Sequence, residues 1–148
     1  MAKSKSAKEK VKTRMFETAL GTTVIAGKDE ESNELVVSEA ASQELLIHTE
    51  APGSPFCNIK VNNPTQEDIY ETAVFCAKYS RAWKQTKKKK DVVVNIFYKR
   101  DTKKDAGMKK GCFAVSKSKK LKVKKEDVLE FEKDLECVKS GKCEEEEK

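Results

Sequence analysis

Long apolar runs are missing from this chain of 148 residues. No stretch approaches the roughly 20 consecutive apolar residues that a bilayer-spanning helix needs. The basic N-terminus lacks an apolar h-region, which argues against a secretory signal. Histidine is reduced to one, His48, too few for the common zinc sites, and Cys137 and Cys143 do not have CxxC spacing. A glycine-rich phosphate loop is likewise absent. The five cysteines are an odd number, and Cys57, Cys76 and Cys112 lie in apolar segments, the ordinary position of buried free thiols. The expectation is a cytoplasmic protein with no metal or cofactor.

What the chain has in quantity is charge, and the charge is segregated. Residues 1–14 are net +5, residues 15–77 are −9, residues 78–125 are +16 and residues 126–148 are −6. A segment as basic as 78–125 repels itself unless a polyanion or counterions neutralise it. A solubilising lysine surface explains the lysines alone; the separation of sign favours a polyanion-binding face. The length suits one domain. Residues 15–125 form the globular part, large enough to bury roughly two-thirds of its unfolded surface. Residues 1–14 read as a disordered basic arm, and residues 126–148 as a short helix followed by an acidic tail, Glu144 to Glu147.

Within the globular part, Thr22 to Gly27 reads as a strand, Lys28 to Asn33 as a turn and Glu34 to Val37 as its hairpin partner. Glu44 to His48 is a third strand, with Leu45 and Ile47 on one face and Leu46 and His48 on the other. Pro52-Gly53-Ser54-Pro55 is a turn, and Phe56 to Val61 a fourth strand. Thr65 caps a helix of about 20 residues, with Asp68 completing a weak capping-box pattern. Its stripe of Ile69, Thr72, Ala73, Cys76, Ser80 and Trp83 faces a sheet, opposite Glu67, Glu71, Lys78 and Arg81. Lys87, Lys88, Lys89 and Lys90 close this helix, where cations suit the dipole. Asp91 to Tyr98 is a strand and Lys99 to Lys110 a basic loop. Gly111 to Ser116 pairs with Leu121 to Val123 as a hairpin, and Glu126 to Cys137 forms a short amphipathic helix. The order specifies an α+β fold: a mostly antiparallel or mixed sheet backed by one long helix, plus a short C-terminal helix.

Particular motifs sharpen this. Gly27-Lys28-Asp29-Glu30-Glu31-Ser32-Asn33-Glu34 places glycine at a tight bend, with Asp29 and Asn33 able to bond local backbone amides. Glu44 to His48 is followed by Gly53-Ser54, and Ala77-Lys78-Tyr79-Ser80-Arg81-Ala82-Trp83 ends the long helix. In order and spacing these segments, with the strand and basic loop of Val94 to Val115, resemble the NFACT RNA-binding domain of ribosome-quality-control factors, over roughly Ala19 to Val123. The match has departures: Lys28 stands for the family's Arg, Glu44 for its Asp, and Pro55 for a frequent polar residue. In this resemblance Gly27, Asp29, Asn33, Gly53, Ser54, Ser80 and Trp83 are motif positions, and core packing explains Ser80 and Trp83 better than ligand contact. Full-length relatives add an N-terminal domain, a helix-hairpin-helix part and a coiled coil, none of which fits into 148 residues. Their tRNA-recruiting and tail-elongating activity is not carried over.

The resemblance implies a non-catalytic RNA-binding protein, contacting tRNA or rRNA near the ribosome in translation or quality control, with ribosomal particles as partners and no membrane. Phosphate contacts are expected from Lys78, Arg81, Lys84, Lys87 to Lys90, Lys99, Arg100, Lys103, Lys104, Lys109 and Lys110, and base contacts from His48 and Tyr98. Only Arg81 and Arg100 among the cations can grip phosphate bidentately, so low sequence specificity is expected. His48 reads equally well as a half-buried histidine bonded to a neighbouring loop. Two alternatives stand beside this: an accessory RNA-binding subunit for tRNA modification by thiolation, and an enzyme pairing His48 with Cys57 or Glu44.

Overall fold

The computed structural model describes residues 13–140, apart from Pro52, Lys88, Asp105, Lys110 and Gly111, with the backbone alone for 136–140. Most of the expected basic arm and the acidic stretch Glu144 to Glu147 lie outside the described residues, as do Lys88 and Lys110 of the expected phosphate contacts.

The architecture is α+β. Strands β1 (Arg14–Glu17), β2 (Thr23–Ala26), β3 (Leu45–Thr49), β4 (Cys57–Ile59), β5 (Val92–Tyr98) and β8 (Lys119–Val123) form a six-stranded sheet in the order β1-β2-β4-β3-β5-β8. Every neighbouring pair is antiparallel. Alternation along the strands separates two apolar layers. Val24, Leu45, Ile47, Cys57, Ile59, Val92, Val94 and Val123 pack beneath helices α2 (Gln66–Lys78) and α4 (Lys125–Ser140). On the other face Leu46, Phe56 and Phe97 pack with Val36, Val37 and Ala40 of α1 (Glu30–Glu39) and its C-cap.

Five expectations are corrected. Glu34 to Val37 is not a strand but part of α1. Asp29 caps this helix: its carboxylate accepts the Ser32 N–H at 2.8 Å, and Ser32 Oγ accepts the Asp29 N–H in return. Glu30 and Glu31 in the first turn favour the positive end of the helix dipole. The long helix breaks at Ser80, which is extended at φ −87° and ψ 153°. Ser80 Oγ donates to Ala77 O at 2.7 Å and accepts the Trp83 N–H at 3.1 Å, capping the short helix α3 (Arg81–Gln85). A hydroxyl that competes with the backbone in this way ends a helix without disturbing its apolar stripe, so Trp83 stays 1% exposed.

The hairpin expected from Gly111 to Val123 is instead two separate pairings. β7 (Ala114–Val115) joins β6 (Thr102–Lys103) in a small ribbon, and β8 joins the edge of the main sheet beside β5. Burial of Val123 opposite Val92 outweighs the turn signal of Lys117 to Lys120. The C-terminal helix is not short: α4 has 16 residues, anchored by buried Val128 and by Phe131. Arg14, placed by sequence at the end of the arm, opens β1, where Phe16 packs 4.8 Å from Phe75.

Candidate nucleic-acid interface

At the end of the sheet where β2 and β3 finish and β4 begins, tight loops leave a cleft of about 860 Å³. Its shape starts with glycines. A Cβ at Gly27 would lie 2.0 Å from Asn33 Oδ1, so only glycine lets α1 fold back against the strand. Asn33 Oδ1 then accepts the Phe56 N–H at 2.9 Å, tying α1 to the start of β4. Gly53 has a φ of +95°, and its Cβ would meet Arg81 Cβ at 2.9 Å. Its carbonyl accepts the Arg81 N–H at 2.7 Å. The Ser80 break thus frees a backbone N–H to hold the Gly53 turn and sets the Arg81 side chain at the cleft. Ser54 is buried, its hydroxyl accepting the Thr49 N–H at 3.0 Å.

His48 stands on one wall, half-buried against Phe56 with ring centroids 4.3 Å apart. Its Nδ1 lies 2.8 Å from the Thr49 carbonyl, which only accepts, so Nδ1 carries a proton and Nε2 of the neutral ring is an acceptor. Burial lowers the pKa below 6.5, outweighing the opposing effect of the Thr49 hydrogen bond, so the ring is neutral at neutral pH. Arg14, Lys28, Arg81, Lys84 and Lys109 surround it. The Arg14 guanidinium donates to Gly27 O at 2.9 Å and lies 4.2 Å from the Tyr79 ring centroid. Of the three carboxylates on the walls among the described residues, Asp29 is committed to the α1 cap and Glu50 to Lys120 at 2.7 Å. Hydrogen bonds from Ser32 hold the Asp29 carboxyl below its ordinary pKa. The remaining cationic groups, an imidazole acceptor and aromatic walls suit an anionic ligand with a stacking surface.

The expected contact residues do not form one face. Arg81, Lys84 and Lys109 join His48 in the cleft. Tyr98 does not: His48 pairs with Asn95 and Leu45 pairs with Tyr98, so alternation sets Tyr98 on the opposite side of the sheet, with Arg100 4.2 Å from its ring. Lys78 is held 3.6 Å from Glu132. Lys99 donates to Ala40 O, and Lys104 bonds Glu34 and the carbonyls of Lys109 and Cys112, so both serve the fold locally. Lys87, Lys89, Lys90 and Lys103 are exposed but line neither large cleft. Sequence reasoning missed Arg14, Lys28 and Asn95 as wall residues. For Lys28 a signal was present, since it occupies the position where the resembled family has Arg.

His48 and Cys57 cannot act as a base and nucleophile. Cys57 pairs with Ile47, on the face away from His48, is fully buried, and burial beside Cys76 pushes its thiol pKa well above the ordinary value. Glu44 is engaged by Lys60 at 3.0 Å. Among the described residues no helix is long and apolar enough to cross a membrane.

Fold and cleft together define a small α+β module with a cation-lined cleft at one end of its sheet. Residues 12–117 match the family model described as the NFACT protein RNA binding domain, so the chain belongs to that family. It is 36% identical over 67 residues to the archaeal Rqc2 homolog aRqcH of Methanocaldococcus jannaschii, covering 43% of this chain and 10% of that protein. The chain therefore spans about a tenth of that relative's length. Among solved structures, the C-terminal part of the fibronectin/fibrinogen-binding protein from Streptococcus suis shares the fold, with a TM-score of 0.69 and 22% identity. That likeness covers 76% of this chain and 45% of the other.

Proposed function

We propose that this protein binds tRNA or rRNA at the ribosome in translation or ribosome quality control, in the cytoplasm, without catalysing a reaction on the RNA. Membership of an RNA-binding family supports the ligand class, and the archaeal Rqc2 homolog supports the setting. The observation that carries the proposal is the gathering of Arg14, Lys28, Arg81, Lys84 and Lys109 around the His48–Phe56 stack. These cations come from segments distant in sequence, which a merely solubilising surface does not require. In this interface the cations neutralise phosphates, while the neutral His48 ring offers Nε2 to a base edge or ribose hydroxyl. The test is binding of labelled tRNA and rRNA fragments to the wild type and to an Arg81→Gln, Lys84→Gln double variant. A loss of at least tenfold with an unchanged melting temperature is expected. Equal binding by both proteins overturns the assignment of the cleft.

A further inference from the structure

A second cleft, of about 870 Å³, opens on the side of the sheet that carries α2, between the loop entering that helix and strands β5 and β8. Its floor is apolar: Leu45, Ile69, Ile96 and Leu121. Tyr98 stands at its edge, 36% exposed, with the Arg100 guanidinium over its ring. Lys117 and Lys119 occupy the β8 side, both exposed, and Asp101 is the one carboxylate on the wall among the described residues. The opposite rim holds the amides of Asn62, Asn63 and Gln66. One side thus carries positive charge, the middle is apolar with an aromatic edge, and the far side offers neutral donors and acceptors.

From this arrangement we infer that the second cleft binds a single-stranded RNA segment, separately from the His48 cleft, so that one molecule holds two RNA segments at once. The inference rests on the RNA-binding reading of the first cleft. Single strands are held where a basic track follows the backbone and aromatic rings receive unstacked bases. Here Arg100, Lys117 and Lys119 face the phosphates, Tyr98 and the apolar floor receive bases, and the amides meet the base edges. A folded helix presents no free base faces and has no use for such a floor. An acidic peptide would satisfy the lysines but brings no planar base to stack at Tyr98. Tyr98 and His48 project from opposite sides of the sheet, so one strand lying flat in either cleft does not reach the other.

The test uses the full chain with two probes, a fluorescent oligouridine and a labelled tRNA. Oligouridine and tRNA are expected to bind together, giving energy transfer between the labels at protein concentrations above both dissociation constants. Tyr98→Ala is expected to weaken oligouridine about tenfold, as loss of one stacked base implies, and to leave tRNA binding unchanged. Lys117→Gln with Lys119→Gln, both exposed, is expected to do the same without touching the fold. Arg81→Gln with Lys84→Gln should give the reverse pattern. Mutual displacement of the two probes overturns the inference, as does tRNA binding with no oligouridine binding. Binding of an oligoglutamate peptide that oligouridine fails to displace assigns the cleft to a protein partner instead. Failure of tRNA and rRNA alike to bind the wild type sinks the underlying RNA reading, a result distinct from all of these.

Discussion

Single residues hold the cleft in shape, and their removal should be measurable in stability before it is measured in binding. A methyl group at Gly27 meets Asn33 Oδ1 at 2.0 Å, so Gly27→Ala must displace Asn33 and break its bond to the Phe56 N–H. Overpacking of this kind destabilises by about 1–3 kcal/mol, readable as a lower urea midpoint, and RNA affinity should fall with it. Asp68 is buried, which by itself raises its pKa, yet hydroxyls of Thr18 and Thr22 donate to it at 2.7 and 2.9 Å and hold it below 3.8. With the folded pKa depressed, the unfolded chain binds the proton more readily. The stabilisation is therefore present above about pH 4 and is lost as pH falls through the folded value. Unfolding midpoints taken from neutral pH down to about pH 3 should show an acid-side decline, and Asp68→Asn should be less stable at neutral pH with a shallower decline. An identical acid profile for the two proteins would exclude Asp68 as its source.

Between neighbouring elements, the break between α2 and α3 governs how much of the site was legible. Ser80→Ala removes the hydroxyl that caps α3, a change of about 0.5–2 kcal/mol, and releases Arg81 from its anchored position at Gly53. Calorimetry should register the small destabilisation, and tRNA binding should weaken by more than that loss of folded protein explains. The strands β2 to β5 and the burial of Trp83 were legible, because alternation and the helical stripe report which side chains meet a core. The break was not, since Ser80 lies inside the stripe and satisfies the same periodicity whether the helix continues or stops. Nor was α1: its buried Val36 and Val37 are β-branched neighbours, and its cap pairs Asp29 with Ser32 rather than with the usual glutamate or glutamine three residues on. The motif positions Gly27, Asn33 and Gly53 lie at the end of the sheet where the first cleft opens. The pairing that brings Arg14 there depends on strand register, which no local pattern encodes.

Taken whole, the molecule converts a segregated sequence into mixed surfaces. The acidic block 15–77 forms β1 to β4, α1 and most of α2, and the basic block 78–125 forms α3 and β5 to β8. Antiparallel pairing joins them at one seam: β1, β2, β4 and β3 lie on one side of the β3–β5 pair, and β5 and β8 on the other. Cations from both blocks and from the N-terminal one therefore line the first cleft, while carboxylates of the acidic block sit in caps and ion pairs around it. Ion pairs such as Lys120–Glu50, exposed on both partners, weaken as salt rises, but their contribution to RNA affinity is small beside the release of counterions from phosphates. If about five phosphates are neutralised at the first cleft, the slope of log K against log salt should lie near −3.5 to −4.5. Arg81→Gln with Lys84→Gln removes two of the cleft's cations, so the slope should become shallower by about 1.4 to 1.8. Replacing exposed Lys87, Lys89 and Lys90, which line neither cleft, should change affinity less and leave the slope nearly as steep. Fluorescence titrations of tRNA across a salt series measure all three proteins on one scale. A larger slope change for the Lys87, Lys89 and Lys90 variant than for the Arg81 and Lys84 variant would move the phosphate track out of the cleft and onto the turn after α3.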